Sequence, residues 1–167
     1  MDNFRYYNDS DSLENIYGKL YTWYAAMGVP EGDNNAEPSI TTDPLGRPYV
    51  QGICPEGWAL PTIEEYMLMI ANSGDATHAK VGSNLYWLPG NEGQPPFSGF
   101  DAYGAGTYNG ELNRYEGLLG TTYFWTTLNV PGAEPTTTVE INYYCAEGLQ
   151  TELNKGDGAS IRCLRKE

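Results

Sequence analysis

Tyrosine and asparagine mark the second half of this 167-residue chain, and the chemistry they can do is recognition. The residues expected to be free for binding in its loops and exposed strand faces are Tyr108, Asn109, Asn113, Tyr115, Tyr123, Thr127, Asn129, Asn142 and Tyr144. A tyrosine offers a broad apolar face and a polar tip at small conformational cost, and an asparagine presents both a donor and an acceptor. The mixture therefore suits a sugar or a protein surface. A polar strand face with ordinary loop punctuation would read the same, residue by residue. Catalysis has less to work with. The one histidine, His78, lies in Ala76-Thr77-His78-Ala79, which reads as a loop after a helix, so neither a Ser-His-Asp triad nor a histidine-rich metal site can be built. Cys145, in Asn142-Tyr143-Tyr144-Cys145-Ala146, reads as a buried thiol rather than a nucleophile. Glu111, Glu116, Glu134 and Glu140 read as solvated charges, and Lys155-Gly156-Asp157 as a turn.

Composition narrows the partners. Twenty-two acidic against nine basic residues leave a formal charge of -13, which repels nucleic-acid phosphates and anionic lipid surfaces. No nucleic-acid role and no membrane insertion are expected, because a spanning helix needs about 18 or more consecutive apolar residues. The polar start Met1-Asp2-Asn3 is not a signal peptide, and a trimmed export signal or upstream domain is expected. The 14 tyrosines against 4 phenylalanines again favour rings with a polar tip. A chain of this length can bury the core of one domain, and no internal repeat divides it.

The elements that would position these residues are short. Residues 1–16 are polar and acidic and read as an N-terminal segment ahead of a single domain over 17–167, with order beginning near Leu13 to Tyr17. Lys19 to Trp23 alternates as a strand, and Tyr24 to Met27 offers one helical turn ended by Gly28. Val29 to Gly52 is a long loop rich in Pro, Gly, Asn and Asp. Thr62 with Glu65 forms a capping-box pattern. Behind it Ile63, Tyr66, Met67 and Ile70 recur at helical spacing up to Asn72-Ser73-Gly74. Ser83 to Leu119 is too rich in glycine and proline for long elements and reads as an irregular loop with scattered aromatics, Tyr86 and Trp87 among them. Thr121 to Thr127, Thr138 to Tyr144 and Ser160 to Leu164 are β-branched and aromatic and read as three strands of an antiparallel sheet. Helices early and strands late make an α+β domain.

Three segments resemble one known family. They are Tyr17-Gly18-Lys19-Leu20-Tyr21-Thr22-Trp23-Tyr24-Ala25-Ala26, Cys54-Pro55-Glu56-Gly57-Trp58-Ala59-Leu60-Pro61-Thr62 and Ala159-Ser160-Ile161-Arg162-Cys163-Leu164. They are similar to the Fibrobacter succinogenes major paralogous domain of bacterial surface proteins, and the resemblance spans nearly the whole chain. Thr121 to Thr127 looks like the family's aromatic and tryptophan strand, and Tyr143-Tyr144 like its following aromatic pair. Phe100 to Gly106 lacks the arginine that the family carries before that strand. The resemblance implies a C-type lectin-like fold, with short helices, a small twisted antiparallel sheet and long irregular loops. It also implies that Trp23, Trp58, Trp125 and Cys163 are core and staple positions.

Three cysteines cannot all pair within one chain, and the resemblance pairs Cys54 with Cys163, since these sit in the two matching motifs. The alternative is that both are reduced, buried thiols. A bond closing a loop of that length contributes about 4 to 5 kcal/mol in the chain-entropy model and implies an oxidising compartment, hence an extracellular or cell-surface location. Lectins of this fold often hold sugar through calcium bound by a Glu-Pro-Asn loop and a Trp-Asn-Asp run. Here Glu134-Pro135-Thr136 and Trp125-Thr126-Thr127 match half of each and lack oxygens that calcium's roughly six to eight ligands require. No cofactor or metal is expected, calcium elsewhere being the open alternative. Sulfatase-activating relatives of the fold use paired C-terminal cysteines. Cys145 and Cys163 lie in that half, but nothing around them resembles those enzymes' motifs.

The function expected is a non-enzymatic, secreted or surface-displayed, adhesin-like domain that recognises a protein or glycan through the tyrosines and asparagines of its second half. A variant is a diversity-generating retroelement target, because Thr121 to Arg162 is long and polar enough to be a hypervariable region. The alternative is a structural domain of an envelope, pilus or fibre protein with no ligand of its own, its tyrosines packing against neighbouring subunits.

Overall fold

Short elements form where local side chains can satisfy the backbone, and tertiary packing decides the rest. The computed structural model of the chain describes residues 4–5, 7–83, 85–89, 93–95, 98–127 and 136–166. In chain order the elements are β1 (Phe4–Arg5), α1 (Asp11–Tyr17), β2 (Leu20–Tyr21), α2 (Trp23–Met27), β3 (Ile40–Thr42), β4 (Pro48–Val50), β5 (Trp58–Ala59), α3 (Ile63–Ser73), α4 (Ala76–Ala79), β6 (Ala105–Asn109), β7 (Arg114–Leu118), β8 (Thr121–Trp125), β9 (Thr136–Asn142), β10 (Leu149–Leu153) and β11 (Leu164–Arg165). This is an α+β architecture of short helices and small sheets, as the order of residue patterns predicts. Among the described residues no helix is long and apolar enough to cross a membrane.

The helix ends follow from chemistry legible in the residues. The Thr62 hydroxyl accepts from the Glu65 amide at 3.2 Å, and the Glu65 carboxylate accepts from the Thr62 amide at 3.0 Å, closing the predicted capping box of α3. Ile63, Tyr66 and Ile70 form the buried face. Thr22, read as part of a strand, caps α2 by accepting from the Ala25 amide at 3.2 Å, and Gly28 ends the helix at φ +72°, where a side chain would be strained. His78, expected in a loop, lies in α4, which Asp75 caps by accepting from the amides of Thr77 and His78.

The main sheet has five strands in the order β10-β9-β8-β6-β7. Neighbours are antiparallel except β6 and β8, which run parallel. Two expectations are corrected here. The stretch Ser83 to Leu119 holds the hairpin β6 to β7 rather than only irregular loop. Its pattern was hidden by Gly106 and Gly117, which lower strand propensity but are required by close approach. A Cβ on Gly106 would lie 2.3 Å from the Glu116 carbonyl oxygen, and one on Gly117 would lie 2.5 Å from Cγ2 of Thr121. The third expected strand, Ser160 to Leu164, does not join the sheet as a ladder. Residues 158–160 make isolated bridges to three different partners, Tyr108, Tyr21 and Phe124, and the outer place beside β9 is taken by β10.

Two larger clusters and a smaller one form the core. One packs α3 and α4 against Phe124, Val139 and Ile141 of the sheet, around Trp87. The second gathers α2, Leu60, Trp125 and Cys54. The third holds Leu20, Ala105 and Tyr108. Trp23 and Trp125 are fully buried, as expected of core rings. Trp58 is not: it is 39% exposed, because β5 pairs only with β11 and lies at the periphery. The fully buried ring that the loop reading missed is Trp87. Cys54 and Cys163 are joined by a disulfide, Cα to Cα 5.9 Å, beside the pairing of Ala59 with Leu164.

Candidate functional site

Register on the central strands collects one set of polar side chains on a single face. In β9, Val139 and Ile141 point into the core, so the period of two sends Thr138, Glu140 and Asn142 to the other side. In β8, Phe124 points into the same cluster, and Thr121 and Tyr123 share the other side, where Tyr123 also packs against the second core cluster around Trp125. Pairing sets Tyr123 opposite Glu140 and Thr121 opposite Asn142.

Glu140, expected to be a solvated charge, is 8% exposed and organises this face. Its Oε1 accepts from Asn142 Nδ2 at 2.9 Å, with Thr121 Oγ1 at 3.4 Å and the Tyr144 hydroxyl at 3.5 Å approaching more loosely. All three donors reach the same oxygen. Asn142 is fully buried, and its carbonyl oxygen Oδ1 has no hydrogen-bond partner among the described residues. A buried acceptor in this state is costly unless something satisfies it, and beside the Glu140 carboxylate it makes this an acceptor-rich patch. Tyr144 stands over it 67% exposed, edge-on to Tyr143 at 5.3 Å.

The other predicted residues lie elsewhere. Tyr108 is buried and donates to Asn113. The Tyr115 hydroxyl donates to Asp9 at 2.5 Å, Tyr7 stacks on Tyr115 at 5.1 Å, and the Arg5 guanidinium lies 4.7 Å over the Tyr108 ring. These two rings hold the amino-terminal segment, which also pairs through β1 with β2, and Asn113 engages the Tyr108 hydroxyl, so their polar tips are taken up by the chain itself. Asn109 accepts from the Leu112 amide at 2.8 Å in the β6 to β7 turn. Thr127 is half-buried and donates its amide to Pro61. Asn129, and the Glu134-Pro135 fragment of the calcium pattern, lie outside the described residues. Tyr123, Asn142 and Tyr144 are thus the predicted residues that come together. Glu140 and Thr121, which join them, were missed, although the alternation Thr138-Val139-Glu140-Ile141-Asn142 already set Glu140 beside Asn142.

The environment keeps the phenols protonated. The Glu140 charge is the main cause that pushes Tyr144 up, and burial, followed by Glu140, does the same for Tyr123. Burial and then the hydrogen bond to Asp9 push Tyr115 up to about 12, and burial raises Tyr17 and Tyr66. A phenol harder to ionise in the folded state contributes stability that is complete below its unfolded value near 10. That stability is lost as pH rises toward the folded value. Denaturant unfolding should therefore show a stability falling from about pH 10 to about pH 12, and Tyr115→Phe should flatten part of that fall. An unchanged slope in that variant would contradict the assignment to Tyr115.

Among the described residues no group of three or more His, Cys, Asp or Glu side chains is placed to hold a metal ion. Cys145 is half-buried, and its sulfur accepts from the Glu147 amide at 3.3 Å. His78 Nδ1 lies 2.9 Å from the Gln94 carbonyl oxygen.

The chain belongs to the family described as the Fibrobacter succinogenes major domain, whose model matches residues 1–165. No curated protein and no solved structure matches it.

Proposed function

We propose that this member of the Fibrobacter succinogenes major domain family is a non-enzymatic, adhesin-like domain, secreted or displayed at a cell surface, that recognises a protein or glycan. The recognition surface is the outer face of β8 and β9 around Glu140, Asn142, Tyr123 and Tyr144. One observation carries the reading: a buried amide carbonyl oxygen without a hydrogen-bond partner among the described residues, that of Asn142, lies beside the Glu140 carboxylate and an exposed tyrosine. Such a patch is complementary to ligand hydroxyl or amide N–H groups, and the ring beside it supplies contact area at little entropic cost. The disulfide is compatible with an oxidising, extracellular setting. We read the fold as C-type lectin-like, with short helices and a small sheet carrying long loops, and that scaffold suits a display role. A hypervariable retroelement target remains within this reading, because the patch lies in the segment Thr121 to Arg162 that would vary.

The alternative, a structural domain of an envelope, pilus or fibre protein, draws support from a different place. On α3 Met67 and Leu68 are exposed, and Leu68 borders an open groove of about 700 Å³ together with Leu164. Exposed apolar side chains of this kind pack against neighbouring subunits.

A glycan and host-protein array probed with the oxidised domain, with and without calcium, tests the choice. Saturable binding is expected, and Tyr144→Ala should weaken it about 30-fold, the size of a central aromatic anchor's contribution. A folded domain that binds nothing on the array would favour the structural role.

A further inference from the structure

A recess lies on the opposite side of β8 from the Glu140 face. Tyr17, Tyr21, Tyr103, Asp101, Arg162 and Thr122 line a cleft of about 290 Å³ between the α1 to β2 turn, the approach to β6 and the carboxy-terminal run. This volume is at the small end for ligand sites, which suits one ring rather than an extended molecule. We propose that the cleft binds a single neutral sugar ring, independently of the sheet face.

The Thr122 side chain is fully buried, and its hydroxyl has no hydrogen-bond partner among the described residues. A hydroxyl in that position is both a donor and an acceptor, and leaving it unpaired costs free energy that a valine of the same shape would not incur. Two charged groups stand at the exposed mouth. Arg162 is held by donating Nη2 to the Phe100 carbonyl oxygen at 2.7 Å and by stacking 4.7 Å over the Phe100 ring. Among the described residues it pairs with no carboxylate, so its remaining N–H groups are oriented and available. Asp101 is exposed at φ +51°, a left-handed backbone that non-glycine residues adopt with strain. Lys19 also borders the cleft, but its ammonium lies 3.4 Å from Glu14 and 3.9 Å over the Phe4 ring, so its charge is answered elsewhere. Tyr17 and Tyr103 meet edge to face at 6.2 Å and supply aromatic wall.

The set therefore offers one cation, one anion and the buried hydroxyl residues Thr122 and Ser160 beside aromatic faces. A ligand anion would meet Asp101 and the field of a chain of charge -13, and a ligand cation would meet Arg162. A free amino acid could pair with both mouth charges, but it would turn apolar atoms toward Thr122. A pyranose carries hydroxyl groups that both donate and accept around its edge, together with an apolar C–H face for the tyrosines, and so answers every group present.

Ligand-observed NMR of the intact oxidised domain with a panel of methyl pyranosides, uronic acids and free amino acids tests this. A neutral pyranoside should bind. Thr122→Val should weaken it about 3- to 10-fold, the worth of one hydrogen bond, while leaving the thermal midpoint unchanged or higher because an unpaired hydroxyl is removed. Asp101→Asn, which the left-handed backbone tolerates, should also weaken binding, and Tyr144→Ala should leave it intact. Failure of every neutral pyranoside to bind the folded domain would overturn the proposal. So would preference for an amino acid or uronic acid, or unchanged affinity in both cleft variants. Loss in Tyr144→Ala alone would move the sugar to the sheet face, so the two sites are tested separately.

Discussion

Replacing Cys54 and Cys163 together by alanine lowers the unfolding free energy by about 4 to 5 kcal/mol, the chain-entropy cost of a loop of roughly 100 residues. The bridge spans a sequence separation of 109, so it restricts almost two thirds of the unfolded chain. It also fastens the second core cluster, where Cys54 is 3% exposed beside Leu60 and Trp125, to the β5 and β11 pair at the carboxy-terminus. A domain of this size has about 5 to 15 kcal/mol in all, so the variant stands near its unfolding threshold. Urea titration of the oxidised protein and the double variant measures the difference. A loss below about 1 kcal/mol would contradict a native bridge that constrains the unfolded chain. Thiol titration supplies the companion result: one free thiol, Cys145, in the unreduced protein.

Trp87→Ala destabilises the domain by about 3 to 5 kcal/mol, the cost of emptying a large core site. The ring has no exposed surface, its Nε1 donates to the Ala102 carbonyl oxygen at 2.9 Å, and the buried Lys80 ammonium lies 5.3 Å from its centroid. The deletion thus opens a cavity, removes one of the two donors to the Ala102 carbonyl, which keeps the Val81 amide, and takes away the aromatic face beside a buried cation. Trp58→Ala should cost about 1 kcal/mol or less, since its ring is already 39% exposed. The reverse order in thermal and urea unfolding would contradict the placement of these two rings.

These tryptophans show where sequence reading succeeds and where it stops. Local chemistry was legible: Thr62 with Glu65, and Gly28, act through neighbours within a few residues and bound their helices as read, whereas Thr22, read as part of a strand, is the N-cap of α2. Non-local demands were not. Gly106 and Gly117 lower strand propensity, yet they sit in strands because a Cβ would meet the Glu116 backbone at the first and the Thr121 side chain at the second. Ser160 to Leu164 has strand-forming residues but shares its pairing among separate partners, while Leu149 to Leu153, whose exposure alternates, takes the sheet edge. In the candidate site Tyr123, Asn142 and Tyr144 were legible as residue types. Their union around Glu140 depends on the register of β8 against β9, which residue types do not reveal. The amino-terminal residues that engage Tyr108 and Tyr115 are likewise joined to them only by the fold.

The central claim is that the β8 and β9 face, rather than the Tyr108 and Tyr115 cluster, recognises the ligand. The affinity of the array-captured protein or glycan for wild-type, Tyr144→Ala and Tyr115→Phe domains tests it most directly. The account predicts a loss of about 30-fold for Tyr144→Ala and a change within about twofold for Tyr115→Phe. Unchanged binding by Tyr144→Ala, or a comparable loss in Tyr115→Phe, would contradict it.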